Sequence, residues 1–246
     1  MADAAQQFSR IDLNTHALLF DVDGTLLNIA PRPDQVVVPP ALIETLARLN
    51  DRTGGAVAFV SGRKIAVIDA LFKPLTLAAV GVHGAEMRTG SGSIERLVEP
   101  LPVFLREQAA EAAKVLGIVI EDKEIAVTLH FRLAPEKEAA VEALAARLRD
   151  QFPGEALDIA RNKMVVELVR RGVNKGAGIA ALMQRPPFKG RRPIFIGDDR
   201  TDEHGFDAMP QFNGAAYSIA REYPGLAGIF DNAAAFRAAL QALAGR

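Results

Sequence analysis

The sequence contains no cysteine, so the chain can form neither disulfide bonds nor thiolate metal sites. A reducing cytoplasm is therefore the expected compartment. Charge of one sign is also lacking, because 29 basic residues face 30 acidic ones and the net charge is −1. Such a balance provides no overall field for binding nucleic acid or an anionic membrane. No apolar run approaches the roughly 18 residues of a membrane-spanning helix, and the N-terminus lacks the pattern of a secretory signal. These absences predict a soluble protein without nucleic-acid or membrane partners.

What is present is an alternation of short apolar runs with longer amphipathic segments, which is typical of βα units around a buried parallel sheet. The apolar runs predict strands at 17–22, 56–60, 77–82 and 193–197. The amphipathic segments predict crossover helices at 40–50, 64–72 and 174–184. We therefore expect an α/β fold with a doubly wound, Rossmann-like parallel sheet.

A different pattern occupies the middle of the chain. Two helical segments, 102–116 and 135–150, each precede a pair of strand-like segments, which form an α-β-β-α-β-β series. Such a series can build a small α+β layer of its own. The sequence thus predicts a core formed by residues 1–100 and 168–246, with a second domain inserted at 101–167.

Paired carboxylates lie at the end of the first predicted strand. Asp21 and Asp23 lie in the segment DVDGT, and Gly24 permits a sharp exit from the strand. Ligands bind at the carboxyl ends of strands in open α/β sheets, and one carboxylate can attack phosphorus while another transfers the proton. An isolated Asp-Gly pair is more commonly only a turn.

Three further segments point to the same chemistry, although each has an ordinary structural explanation. Ser61 and Gly62 follow the second predicted strand, where a hydroxyl and backbone N–H groups can bind phosphate or simply cap a helix. Lys175 begins a predicted helix and is either a phosphate ligand or a solvated side chain. Four carboxylates within residues 198–203 favour a site for Mg²⁺, which prefers hard oxygen ligands, over a solvated acidic loop.

Together and in this order, the four segments resemble the motifs of the haloacid dehalogenase-like phosphatases. The resemblance implies Asp21 as the nucleophile and Asp23 as the general acid and base, with Ser61 and Lys175 holding the phosphoryl group. It also implies a Mg²⁺ cofactor bound through Asp21, the Asp23 carbonyl and Asp198, supported by Asp199 and Asp202. The insert, which lies between the second and third motifs, resembles a C2-type cap that provides substrate specificity.

Within that superfamily, the chain resembles the trehalose-6-phosphate phosphatases. The stretches that carry the resemblance are DVDGTLLNIAPRPD from 21, FVSGR from 59, GVHGAE from 81, LHFRLAP from 129, KMVVELVRRGVNKG from 163 and GDDRTDEHGF from 197. Val22 stands where phenylalanine is common, and the run after Glu167 departs from the pattern. The implied reaction is Mg²⁺-dependent hydrolysis of trehalose 6-phosphate through an aspartyl phosphate. The implied substrate-binding residues are Gly62, Arg63, His83, Glu86, Arg132, Lys163 and Glu167.

Other interpretations share these residues. Arg132 and Glu167 could form an ion pair inside the insert, and His83 could satisfy a backbone carbonyl. A phosphatase for sucrose phosphate or a mannosyl phosphoglycerate would keep the same catalytic residues, as would a phosphomutase. A binding protein on the same scaffold is harder to reconcile with the full set of catalytic side chains.

Overall fold

The computed structural model describes residues 4–29, 36–162 and 164–245. Its chain divides into two compact units, one made of Met1–Glu95 with Asn174–Arg246 and the other of Arg96–Val173. The second unit extends a few residues beyond the expected insert at 101–167, and β-ladder pairing continues as far as Arg170.

Twelve strands form two sheets in the described part of the chain. They are β1 (His16–Phe20), β2 (Val57–Val60), β3 (Ala78–Gly81), β4 (Glu86–Arg88), β5 (Glu95–Arg96), β6 (Val119–Asp122), β7 (Ala126–His130), β8 (Leu157–Asn162), β9 (Val165–Arg170), β10 (Arg192–Gly197), β11 (Ala215–Ile219) and β12 (Gly228–Phe230).

Eight α-helices accompany these strands within the same residues. They are α1 (Ala4–Phe8), α2 (Pro40–Arg52), α3 (Ile65–Phe72), α4 (Val103–Leu116), α5 (Glu138–Gln151), α6 (Lys175–Leu182), α7 (Glu203–Ala208) and α8 (Ala233–Ala244).

The larger sheet has the order β12-β11-β10-β1-β2-β3-β4-β5. Pairing is parallel from β12 to β3 and becomes antiparallel between β3 and β4. From β1, the chain adds β2 and β3 toward one edge of the sheet. From β10, which lies on the other side of β1, it adds β11 and β12 toward the opposite edge. Strands β1 and β10 therefore flank the topological switch point, where α/β sheets bind ligands beyond the strands' carboxyl ends.

Alternating residues of the central strands pack on opposite faces of this sheet. Phe20 and Phe59 join one buried cluster with residues of α1, α2, α3 and α8, and the Phe20 ring lies 5.8 Å from the Phe236 ring. On the other face, Phe195 packs against Phe206 of α7 at a ring distance of 5.6 Å. The sheet is thus buried on both faces, which explains why its strands are continuous apolar runs.

The smaller unit pairs its four strands antiparallel in the order β6-β7-β9-β8. Val127, Leu129, Val166 and Leu168 pack on one face with residues of α4 and α5. The other face carries polar residues, among them Thr128 and Glu167, because side chains alternate along a strand.

The predicted α/β class and the doubly wound parallel sheet are confirmed. Predicted helices and strands lie within a few residues of those observed; for example, α2 begins at Pro40 as expected. Val82 was expected to end a strand, but it lies at φ 45° and leaves the sheet after Gly81. In residues 4–29, 36–162 and 164–245, no helix combines the length and apolar character needed to cross a membrane.

Candidate active site

The carboxyl ends of β1 and β10 bring distant acidic residues together. Asp21 follows β1, and its N–H donates to the Ile196 carbonyl of β10 at 2.9 Å. Because the two strands run parallel and in register, Asp198 leaves β10 on the same edge of the sheet. Carboxylate oxygens of Asp21, Asp198 and Asp202 all lie within 4.8 Å of one another. The sequence prediction that the two acidic segments share one site is therefore consistent with the geometry.

Lys175 lies in the middle of this group. Its Nζ donates to Asp21 Oδ1 at 2.7 Å and to Asp202 Oδ1 at 2.6 Å, and its side chain is only 3% exposed. The position is fixed because Lys175 is the first residue of α6, where the Asn174 side chain accepts a hydrogen bond from the Ala177 N–H. Lys175 is therefore not a solvated side chain, which was the alternative that the sequence left open.

Asp199 and Asp202 order the acidic loop. Asp202 Oδ2 accepts hydrogen bonds from the N–H groups of Asp198 and Asp199, both at 3.0 Å. Asp199 Oδ1 accepts from the N–H and the hydroxyl of Thr201. These two carboxylates hold the backbone in a shape that presents the Asp198 carboxylate toward Asp21.

Asp21 Oδ2 is a buried oxygen without a hydrogen-bond donor among the described residues. Its neighbour Asp198 is another carboxyl group, and two ionised carboxylates cannot donate to each other. A proton shared between the Asp21 and Asp198 carboxyl groups, or a cation bound to both, would satisfy Asp21 Oδ2 and the Asp198 oxygen next to it. The donor set is made of hard oxygens, which fits Mg²⁺.

The pKa values follow from this crowding. Burial raises the pKa of Asp21 well above its usual range, and the charges of Asp202 and Asp198 add to the rise, while Lys175 opposes it. Burial, together with Asp202 and Asp199, raises the pKa of Asp198 to about 7. Burial alone would lower the pKa of Lys175, but Asp202 and Asp21 outweigh it and raise that pKa. The site therefore holds more negative groups than Lys175 can neutralise.

Gly24 allows the chain to turn directly after Asp23, at a point where the backbone packs against Asp198. Its φ is +87°, and a Cβ atom built there would lie 2.0 Å from Asp198 Oδ2. Any side chain at this position would therefore clash with the Asp198 carboxylate as well as strain the backbone.

Ser61 and Asp23 lie in the loops after β2 and β1, at the same edge of the sheet. Ser61 follows β2, is buried, and accepts a hydrogen bond from the Arg63 N–H through its Oγ at 3.2 Å. The Arg63 guanidinium forms two hydrogen bonds with the Asp23 carboxylate. Arg63 thus contacts Asp23, the second catalytic candidate after Asp21.

The loop after β3 contacts the segment that contains Gly62. His83 has φ 54°, and its Nε2 lies 2.3 Å from where a Cβ of Gly62 would be. Glu86 accepts a hydrogen bond from the Ile65 N–H at the start of α3 through its Oε1. Glu86 therefore supports α3, a structural role that its position in the sequence did not reveal.

In the smaller unit, Glu167 lies in a buried polar cluster. Its Oε1 accepts hydrogen bonds from Lys123 Nζ at 2.9 Å and Thr128 Oγ1 at 2.7 Å, and Glu167 is 1% exposed. Lys123 was not among the residues predicted for the site, although it directly follows β6 and lies two positions after Glu121, the spacing at which residues of an extended segment share a face. Arg132 is exposed, and Lys163 lies outside the described residues.

Comparison with known proteins finds relatives in sequence. The trehalose-phosphatase family matches residues 19–224. A probable trehalose-phosphate phosphatase of Sinorhizobium fredii is 40% identical over 238 residues, which cover 95% of this chain and 89% of that protein. The trehalose-6-phosphate phosphatase of Escherichia coli is 41% identical over 208 residues, covering 83% of this chain and 77% of that protein.

A solved structure shows the same fold. The C-terminal domain of C. albicans trehalose-6-phosphate phosphatase has a TM-score of 0.82 at 20% identity, with 98% of this chain and 95% of that chain covered. The match to the family spans both acidic segments, Ser61 and Lys175. This chain belongs to the trehalose-phosphatase family.

Proposed function

We propose that this protein hydrolyses trehalose 6-phosphate to trehalose and phosphate, through an aspartyl phosphate on Asp21 and with Mg²⁺ as cofactor. The observation that carries the proposal is the buried Asp21 carboxylate, which has one oxygen held by Lys175 and the other without a donor among the described residues. Membership of the trehalose-phosphatase family and the similarity to phosphatases at about 40% identity support the substrate.

Asp21 attacks phosphorus, and the bond from phosphorus to the sugar oxygen breaks. Lys175 supports this step because its buried charge offsets part of the repulsion between a carboxylate and a phosphate dianion. Asp23 gives a proton to the departing sugar oxygen, and afterwards takes one from the water that hydrolyses the aspartyl phosphate. The Ser61 hydroxyl accepts from the Arg63 N–H, so its own O–H remains to donate to a phosphoryl oxygen.

The residues that would hold Mg²⁺ are Asp21 and Asp198 through their carboxylates and Asp23 through its backbone carbonyl. When bound, the ion supplies positive charge that stabilises the charge developing on the transferred phosphoryl group. Asp199 and Asp202 keep the loop in place, since their carboxylate oxygens accept hydrogen bonds from it.

A substrate panel tests the proposed function. Phosphate release is measured with Mg²⁺ from trehalose 6-phosphate, sucrose 6-phosphate, glucose 6-phosphate and an aryl phosphate, each with an EDTA control. We expect a strong preference for trehalose 6-phosphate and no release with EDTA. Activity spread evenly over the panel, or highest on another sugar, would contradict the substrate, and isomerised sugar phosphate with little free phosphate would indicate a mutase.

Binding of Mg²⁺ is expected to stabilise the folded protein. Saturation at about 100 times the dissociation constant adds about 2.7 kcal/mol to the free energy of unfolding, which raises the melting temperature by several degrees. Thermal denaturation with and without Mg²⁺ measures this shift. Asp198→Asn should remove it, whereas the control Asp51→Asn, on the exposed side of α2, should keep it. An equal shift in Asp198→Asn would refute the assigned ligand.

We further propose that the smaller unit is a cap that provides sugar specificity, and that Glu167 contributes to it. Glu167→Gln is expected to raise KM for trehalose 6-phosphate by about tenfold or more, a loss typical of one charge-assisted hydrogen bond, with little change for an aryl phosphate. Glutamine preserves the size of the side chain and an acceptor for Thr128. The matched control is Glu142→Gln, which removes an ion pair with Arg161 in the same unit.

The competing explanation is that Glu167 only supports the unit through its ion pair with Lys123. Equal losses on both substrates, together with a lower melting temperature, would favour that explanation. The two kinetic constants for each substrate therefore separate a sugar contact from a structural one.

A further inference from the structure

Both oxygens of the Asp23 carboxylate accept hydrogen bonds from the Arg63 side chain. Arg63 Nε donates to Asp23 Oδ2 at 2.6 Å, and Arg63 Nη2 donates to Asp23 Oδ1 at 2.7 Å. The arginine side chain is 14% exposed and the aspartate side chain 37% exposed. A two-point contact of this kind fixes the plane of the carboxylate as well as its position.

The backbone of Arg63 is itself held from both sides. Its N–H donates to Ser61 Oγ at 3.2 Å, and its carbonyl accepts from the Val82 N–H at 3.0 Å. Two residues later, the Ile65 N–H donates to Glu86. Arg63 therefore projects from an anchored loop, whereas Asp23 lies in the tight turn that contains Gly24, with a carboxylate that is partly open to solvent.

We propose that Arg63 is a positioning residue that orients the Asp23 carboxyl group toward the leaving oxygen of the sugar. The inference rests on the proposed function, because it assigns a role within the proton transfer. As the Asp21 oxygen bonds to phosphorus, the bond to the sugar oxygen breaks and the proton of Asp23 passes to that oxygen. The carboxylate left after the transfer has two acceptor oxygens, which match the two parallel N–H donors of the Arg63 side chain.

A positioning role for Arg63 has a different kinetic signature from a role in binding phosphate or sugar. A sugar alkoxide leaves only if it receives a proton, whereas a nitrophenolate is stable without one. Loss of a positioned proton donor should therefore slow phosphoryl transfer from a sugar phosphate and spare transfer from nitrophenyl phosphate. Loss of a phosphate ligand would slow both.

The experiment measures the rate of the first phosphoryl transfer by rapid mixing of the Mg²⁺-bound protein with each substrate. For Arg63→Ala, we expect a loss of about 10²-fold with trehalose 6-phosphate and of less than about threefold with nitrophenyl phosphate. The double variant Arg63→Ala/Asp23→Ala should be no slower on the sugar phosphate than Asp23→Ala alone, because residues that act as one unit are not additive. Arg63→Lys keeps the positive charge but cannot donate two parallel hydrogen bonds to one carboxylate. Its rate with trehalose 6-phosphate should therefore lie between those of Arg63→Ala and the unmodified protein.

A matched control comes from a second arginine–aspartate pair in the same unit. Arg88 binds Asp69 with contacts of 2.6 and 2.7 Å, and Asp69 is not part of the acidic cluster of Asp21, Asp198 and Asp202. Arg88→Ala should change the rates of the two substrates in equal proportion. Equal losses for Arg63→Ala, or additive losses in the double variant, would overturn the positioning role, and Arg63→Lys gives the same comparison should the alanine variant not fold.

Failure of the proposed substrate is visible before any variant is made. If the unmodified protein releases phosphate from nitrophenyl phosphate but not from trehalose 6-phosphate, the substrate is wrong, and glucose 6-phosphate takes its place in the same comparison. If a sugar phosphate is hydrolysed but Arg63→Ala affects both ester types equally, the positioning role alone is wrong.

Discussion

Replacing Asp21 with asparagine is expected to lower phosphate release from trehalose 6-phosphate by about 10⁴-fold or more, because an amide is a poor nucleophile. The change is nearly isosteric, and the asparagine carbonyl can still accept the hydrogen bond from Lys175. It also removes one negative charge from a cluster in which burial and neighbouring carboxylates raise the pKa of Asp21. We therefore expect the melting temperature in EDTA to be equal to or above that of the unmodified protein.

Phosphate release and thermal denaturation in EDTA measure the two effects. Asp51→Asn, on the exposed side of α2, is the control and should change neither. Substantial residual turnover of Asp21→Asn would refute the covalent mechanism. A large drop in its melting temperature would instead mean that the Asp21 charge is needed to hold Lys175.

The second large effect is expected for Lys175→Met. Methionine removes the cation that contacts both Asp21 and Asp202, so kcat should fall by about 10³-fold. The free energy of unfolding in EDTA at pH 8 should fall by about 3 kcal/mol, since buried carboxylates lose their partner. Lys189→Met, at an exposed position, is the matched control.

The stability loss should depend on pH in a defined direction. A carboxyl group whose pKa is raised in the folded state contributes stability that is present below its unfolded pKa of about 3.9 and lost as pH rises through the folded value. The pKa of Asp198 is raised to about 7 in the folded protein. Burial also raises the pKa values of Asp21 and Asp202, and Lys175 opposes both rises, so its loss should raise these two pKa values further. Lys175→Met should thus be closer to the unmodified protein at pH 5 than at pH 8.

Urea denaturation in EDTA at pH 5, 6.5 and 8 measures this trend for both proteins. A difference in unfolding free energy that stays constant across the three values would show that Lys175 contributes by packing and not by charge. A difference that grows as the pH falls would contradict the sign of the raised pKa values.

Much of the fold could be predicted because its signals are local. Apolar runs of four to six residues that lie between amphipathic segments identified β1, β2, β3 and β10. Strands β4, β5, β11 and β12 and helices α1, α7 and α8 were not predicted. Strand β12 is only three residues long, so it has too few residues for a recognisable pattern. It forms because it pairs with β11, and no local pattern specifies that pairing.

The candidate site shows the same division. Motif order placed Asp21, Ser61, Lys175 and Asp198 at the ends of strands or the start of a helix, and the topology of a parallel sheet brings those ends together. The contacts made by Glu86 and Lys123 could not be predicted in this way. Glu86 lies 21 positions from Ile65, and Lys123 lies 44 positions from Glu167, so the contacts depend on how loops and strands pack.

By itself, the sequence determined the alternating α/β pattern, the inserted α+β unit and the residue types of a phosphoryl-transfer site, because these depend on local periodicity and composition. Only the tertiary structure decided which oxygen of each carboxylate has a partner, since hydrogen bonds depend on distance and direction between residues far apart in the chain. It joined Lys175 to Asp21 across 154 positions. It also directed Arg63 to Asp23 across 40 positions, because parallel pairing of β1 with β2 places the loops after both strands at one edge of the sheet.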